Sequence, residues 1–385
     1  MTDGLLIRSD TAMEGELSSN HIIEFEKYIL SAIYRVMKKI IFLGLFLLTL
    51  LSLSGYQSIW CQVLKRADPA PDRFAIEKDN RKLSIPVHSS HPLTENDDQL
   101  KYLIIIVHGC GLNADKCFET GQQIVASLKI SKSRMMILAP QFHDGVGLDE
   151  KGLLFWDKRW RGGGKSLSTG LNNGLPKLSS FEVLDKLTDV VTKQNSNIQQ
   201  IIILGHSAGG QFVLRYAAMN NHHEILEGKG VFIHYVVANP SSYLYLDQTR
   251  FHFNSTGEIL LTAKEELKEC PSYNKYKYGL EELYGYAEPL SPQLIRTRLL
   301  KRPVMFVLGT ADTDRGWSLD TSCEGDAQGE NRYERGLLYK HHLSPFVKNS
   351  PKSQHIWLEI PEVGHDSIEM FTHPRFITEL KILDF

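Results

Sequence analysis

From about residue 100 onward, short and mostly apolar runs alternate with segments whose apolar residues fall at helical spacing. The runs are Tyr102 to Val107, Met135 to Ala139, Ile201 to Leu204, Val231 to Ala238, Pro303 to Leu308 and His355 to Ile360. Each is too short for a helix and shows little alternation, which is how a strand buried on both faces of a parallel sheet reads. Two intervening segments read as helices. One spans Phe181 to Lys193 and is opened by Ser179 and Glu182 in capping-box spacing. The other follows Gly209, with Phe212, Val213, Tyr216 and Ala217 on one face and Asn220 and Asn221 as its stop. Strands alternating with helices imply an α/β fold, with a mostly parallel central sheet flanked by helices. Residues 55–99 are different: polar, broken by Pro69, Pro71, Pro86 and Pro92, with short alternating runs such as Arg81 to Val87. They read as a linker and edge β-hairpin entering the domain.

The pattern also changes at the N-terminus. Met37-Lys38-Lys39 precedes the apolar stretch Ile40 to Leu53 and the small residues around Ser54 and Gly55, the layout of a secretory signal peptide over residues 37–54. If the segment is retained to Trp60, it is instead a signal anchor spanning the bilayer. Residues 1–36 form either a short cytoplasmic extension or a stretch upstream of the true start. The expected location is therefore secreted or periplasmic, with a membrane-anchored enzyme facing outward as the alternative.

Composition narrows the partners. With 385 residues and 42% hydrophobic content the chain can bury a large core. Lys plus Arg (43) nearly balance Asp plus Glu (45), so no charge asymmetry points to nucleic acid or an anionic surface. Beyond Cys61 there are four cysteines, Cys110, Cys117, Cys270 and Cys323, an even number suited to an oxidising compartment. No Cys-x-x-Cys occurs, and His222-His223 and His341-His342 cannot both face one ion from a regular helix. The expectation is no metal, with these histidines solvated.

The chemistry gathers at the ends of the apolar runs. After Ile201 to Leu204 comes Gly205-His206-Ser207-Ala208-Gly209. A serine on a tight strand-to-helix turn exposes its hydroxyl, while the two glycines let neighbouring backbone approach. The same turn chemistry could cradle a phosphate in a nucleotide-binding fold, so the remaining strand ends must decide. The first run ends in His108-Gly109-Cys110-Gly111, a small loop able to aim backbone N–H groups at a developing oxyanion. There His108 reads as a brace, and Cys110 matters for its amide. Phe155 to Gly164, aromatic, basic and then glycine-rich, reads either as a surface loop with snorkelling side chains or as an active-site rim. The Pro303 to Leu308 run delivers Asp312, with Asp314 as the alternative acid, and the last run delivers Val363-Gly364-His365-Asp366.

Taken together, Gly-His-Ser-Ala-Gly, His-Gly-Cys-Gly, Gly-Thr-Ala-Asp and Val-Gly-His-Asp resemble the nucleophile elbow, oxyanion loop, acid loop and histidine loop of the α/β-hydrolase fold serine hydrolases, esterase or lipase-like. The resemblance runs from about residue 100 to 385. Serine, acid, histidine is that fold's chain order. The resemblance implies Ser207 as nucleophile, His365 as general base and then acid, and Asp312 as the group that fixes the imidazole. It implies an oxyanion hole from the N–H groups of Ala208 and Cys110, with Gly111 as substitute for the second. The first loop departs from the His-Gly-Gly-Gly of many esterases, which bears on the acyl pocket. Neither cofactor nor metal is implied. The implied reaction is hydrolysis of a small-molecule or polymeric carboxylic ester, with peptidase or amidase action, or a catalytically silent binding module, as alternatives. The Tyr-rich stretch at about 241–300 reads as a lid insertion. In this fold the strands on either side of it are neighbours, which implies a Cys270–Cys323 disulfide tying it to the acid loop. Cys110 and Cys117 are then paired with each other or left as buried thiols.

Overall fold

The computed structural model describes residues 69–383 apart from 147, 148, 317, 349, 351 and 352. Residues 1–36, the signal-like segment 37–54 and the first part of the linker lie outside the described residues. Among the described residues there are ten strands: β1 Asp72–Lys78, β2 Arg81–Ser89, β3 Tyr102–Val107, β4 Met135–Pro140, β5 Gln200–His206, β6 Phe232–Ala238, β7 Phe251–Phe253, β8 Ile259–Leu261, β9 Val304–Gly309 and β10 Ile356–Ile360. Eight of them make one sheet in the order β1-β2-β4-β3-β5-β6-β9-β10, and β7 with β8 forms a separate small ribbon. From β4 to β10 every neighbouring pair is parallel. The edge hairpin β1-β2 joins antiparallel, through a turn at Asp79 and Asn80 with φ of 52° and 56°, the positive pair that suits the twist of a two-residue hairpin.

The sheet divides the core in two, and this division explains the apolar runs. Along β3, Leu103, Ile105 and Val107 enter one apolar cluster, whereas Tyr102, Ile104 and Ile106 enter the other. Along β5, Ile201 and Ile203 part from Ile202 and Leu204 in the same way. Side chains alternate across a strand, so burial on both faces demands apolar residues at every position. The first cluster is covered by α2 (Ser180–Gln194), α3 (Ala208–Met219) and α4 (Pro292–Lys301); the second by α1 (Ala114–Leu128) and α6 (Pro374–Lys381). Between β9 and β10 runs α5 (Arg332–Lys348). Helix α2 opens on the capping box read from Ser179 and Glu182, and α3 stops at Asn220.

Three expectations are corrected. Trp156 and Trp160 are neither loop-surface nor rim residues, being 1% and 4% exposed. Trp160 stacks on Phe142 with centroids 5.6 Å apart, and Phe142 packs on Phe212 of α3, because the large apolar area of tryptophan is better hidden between loop and helix than left in water. The paired histidines are not solvated, except His341. His222 and His223 are buried, the latter with Nδ1 3.1 Å from the Tyr235 hydroxyl, and buried His342 accepts from the Leu246 N–H at 3.0 Å. Cys110 and Cys117 do not pair, and they are not two thiols either. They pack against opposite clusters, on either side of the sheet; Cys110 is held in a disulfide of its own and Cys117 is a free thiol that burial pushes up to about 12. The Cys270–Cys323 disulfide is present, with Cα atoms 5.7 Å apart, joining the segment after β6 to the segment after β9.

Candidate active site

Strand β5 ends on a sharp turn. Ser207 has φ 58° and ψ −116°, a strained backbone for a residue with a Cβ, and its N–H donates to the Ala238 carbonyl at 3.0 Å, anchoring the turn to the end of β6. The flanking glycines are required by close approach. A Cβ on Gly209 would run into the carbonyl oxygens of Val107 and His108, and one on Gly205 would strike the Gly209 backbone. Helix α3 begins at Ala208, whose N–H lies in the first turn, where no intrahelical acceptor exists.

The acid and histidine arrive on the two loops beyond β9 and β10. Asp312 is 2% exposed, its N–H donating to the Gly309 carbonyl at 3.1 Å and its own carbonyl accepting from the Tyr333 N–H at 3.2 Å. Asp314 is exposed. The loops are laced together: the Ala311 N–H donates to the Val363 carbonyl at 3.0 Å. Asn239, at the end of β6, accepts from the Gly309 N–H at 3.0 Å and reaches the Gly364 carbonyl at 3.5 Å.

Three side chains meet. His365 Nδ1 lies 2.7 Å from Asp312 Oδ2, and its Nε2 lies 3.0 Å from Ser207 Oγ. An ionised carboxylate only accepts, so Nδ1 carries the proton and Nε2 is left to accept from the serine hydroxyl. About a quarter of the His365 side chain (26%) remains open to solvent. Burial holds its imidazole below its ordinary pKa and the Arg332 cation adds to this, against the pull of Asp312. The imidazole is therefore neutral at neutral pH.

The first loop is braced from below. His108 is fully buried, which takes its pKa down to about 4. The neutral ring donates from Nδ1 to the Gly109 carbonyl at 2.7 Å and accepts at Nε2 from the Phe142 N–H at 2.9 Å. His108 is thus a strut. Cys110 sits half-buried just past it, in the loop whose carbonyls face Gly209.

Three residues near this centre were not singled out by sequence reasoning. Arg332 Nη1 stands 3.5 Å from Asp312 Oδ1. His206 lies against His365, with centroids 4.4 Å apart and the rings tilted by 38°, and burial drives its pKa well down. Asn239 is the third. His206 occupies the variable position of the elbow motif and Asn239 ends an apolar run, so both sat where weight could have been placed. Arg332 lies in a polar stretch without periodicity and carried no signal.

No family model matches the chain, and neither does any curated protein. Among solved structures the chain is similar to poly(aspartic acid) hydrolase-1 from Sphingomonas sp. KT-1, with 21% identity and a TM-score of 0.54 over 80% of this chain and 98% of that one. It is also similar to LpqC, the poly(3-hydroxybutyrate) depolymerase from Bordetella parapertussis, with 17% identity and a TM-score of 0.51 over 79% of this chain and 88% of that one. At these identities the likeness establishes the fold: the chain has the α/β-hydrolase fold, with a mostly parallel central sheet flanked by helices.

Proposed function

We propose that the protein is a serine hydrolase that cleaves carboxylic esters through Ser207, His365 and Asp312 and an acyl-enzyme intermediate. The observation that carries this reading is His365 itself, hydrogen-bonded at one nitrogen to a buried carboxylate and at the other to a hydroxyl on a strained strand-to-helix turn. In that arrangement His365 Nε2 takes the Ser207 proton as Oγ attacks the ester carbonyl, and then gives it to the departing alkoxide. Asp312 holds the Nδ1–H tautomer and stabilises the imidazolium formed between those steps. Water, deprotonated by the same nitrogen, then releases the acid. The developing oxyanion is received by the N–H groups of Ala208 and Cys110, donors fixed by helix α3 and by the His108 strut.

The reading includes export, with the catalytic domain outside the cell and membrane contact only if the apolar segment after Met37 is retained. The Cys270–Cys323 disulfide supports an oxidising compartment. No described helix is long and apolar enough to cross a membrane. Mature protein from a native producer begins near Gly55 on this reading; an intact mass that keeps Ile40 to Leu53 replaces it with an anchored enzyme.

The test is turnover of a short p-nitrophenyl ester and the matching anilide. Ester turnover should exceed anilide turnover, and the reverse order moves the assignment to amide bonds. Ser207→Ala and His365→Ala should each lose several orders of magnitude, nearly equally, because the members act as a unit. Asp312→Asn should be severely impaired and Asp314→Asn much less so. Equal activity of Ser207→Ala and the parent protein rules the reading out.

A further inference from the structure

Beside the first turn of α3, Lys277, Arg161 and Lys158 lie within electrostatic reach of Asp320, and Arg215 stands beside Arg161 and Lys277. Lys277 Nζ is 2.9 Å from Asp320 Oδ2 and 3.4 Å from Gln211 Oε1, with 20% of its side chain exposed. Arg215 is fully buried and donates to the carbonyls of Lys277, at 2.8 Å, and Gln211, at 2.9 Å, so it is satisfied without a carboxylate. Arg161 stands half-buried at the end of the 3-10 turn Lys158–Gly162, and its Nε has no hydrogen-bond partner among the described residues. Lys158 opens the same turn and is exposed. Asp320 is already engaged, for besides Lys277 it accepts from the Tyr278 hydroxyl at 2.8 Å and the Ser322 hydroxyl at 2.8 Å; Glu324, the next acid, accepts from the Ser272 hydroxyl at 2.6 Å.

The cluster touches the nucleophile's own helix. The Gln211 N–H donates to the Ser207 carbonyl at 3.0 Å, which places this side chain one turn on from the nucleophile. Gln211 is fully buried, and its Nε2 donor has no partner among the described residues. The Arg161 turn is pinned over the helix by the Tyr276 hydroxyl, which donates to the Gly162 carbonyl at 2.7 Å. Burial works against the charges of Arg161, Arg215 and Lys277 alike, and the first two also repel the third.

Cations held together away from water, outnumbering their counterions, are unfavourable unless an arriving anion completes them. The unpartnered donors are the Arg161 Nε–H and a Gln211 carboxamide N–H, and a guanidinium is the group best matched to the two oxygens of a carboxylate. Asp320 in the same group disfavours a dianion such as a phosphate monoester. We propose that Arg161 and Lys277, with Gln211, form a subsite for a free carboxylate on the substrate, so that the preferred ester carries a negative charge on its acyl or alcohol part. This rests on the hydrolase reading of Ser207.

Two measurements test it separately from that reading. The first compares p-nitrophenyl hydrogen glutarate with p-nitrophenyl valerate, and 4-acetoxybenzoate with its methyl ester, which puts the charge on the acyl or the alcohol side. kcat/KM should favour the anionic member of at least one pair by about tenfold or more, the scale of a hydrogen bond to a charged group. Arg161→Gln should bring that ratio towards one, Arg161→Lys should restore part of it, and added salt should reduce it. The second is calorimetric titration of glutarate into Ser207→Ala protein, with saturable binding that Arg161→Gln weakens about tenfold. No charge preference in either pair, or a preference that Arg161→Gln leaves intact, overturns the subsite while the hydrolase reading stands. Glutarate binding that depends on Arg161, in a protein that hydrolyses none of the esters, leaves the subsite and removes the hydrolase reading.

Discussion

Arg332 stands behind Asp312: its Nη1 lies 3.5 Å from Oδ1, while the other carboxylate oxygen, Oδ2, meets His365 at 2.7 Å. Both residues are buried, and Arg332 also donates to the Ser318 hydroxyl at 2.8 Å. The guanidinium orients the carboxylate and, through its charge, disfavours protonation of His365. Arg332→Gln should therefore lower kcat/KM and move the acid limb of its pH profile to higher pH, whereas Arg332→Lys should return the limb towards its place. A loss of stability with the limb unmoved would mean that Arg332 only fills space.

In the parent protein the same limb should lie below the ordinary histidine value near 6.5, because burial lowers the His365 pKa. The sign follows from chemistry: the neutral imidazole is the base, so activity rises as pH climbs through that pKa and is level above it. A pH–rate profile of kcat/KM still rising between pH 7 and 8 contradicts the assignment.

The elbow allows a backbone test. A Cβ at Gly209 meets the carbonyls of Val107 and His108, which cannot move without disturbing β3. Gly209→Ala should cost about 1–3 kcal/mol by overpacking and abolish turnover. A Cβ at Gly228, a helix end with φ −63°, would stand 3.3 Å from the Glu224 carbonyl, a far milder contact, and Gly228→Ala should cost less than about 1 kcal/mol and leave turnover in place. Thermal melts of the two variants decide it.

Replacing Cys270 and Cys323 together by serine opens a loop of 53 residues. The unfolded chain gains the freedom the bridge denies it, and the loss should be about 4 kcal/mol. Urea unfolding, with the midpoint shifted and the slope examined for denatured-state change, measures it. An unchanged midpoint removes the bridge from the account of stability.

Much of this was legible in the chain because its signals are local. Six apolar runs became β3, β4, β5, β6, β9 and β10 to within two residues at either end, since a strand buried on both faces has few polar positions to blur it, and even β6 and the edge strand β10 carry only His234 and Glu359. That Ser207, Asp312 and His365 would stand near one another was legible because each follows such a run, and a strand end fixes where the next few residues stand. What stayed hidden depends on contacts between distant segments. Arg332 reaches Asp312 from a stretch with no periodicity, and Trp156 and Trp160 look like loop residues until Phe142 and Phe212 are set against that loop. Cys110 and Cys117 are seven residues apart in sequence, and only the sheet between their environments separates them.

The central claim is that Ser207 is a nucleophile activated by His365. A fluorophosphonate reacts with an activated serine and not with an ordinary hydroxyl, so intact mass and peptide mapping after labelling test it directly. The account predicts one adduct per chain, on Ser207, absent in Ser207→Ala and formed far more slowly in His365→Ala. Folded parent protein that takes no label, or takes it on another residue, contradicts the account.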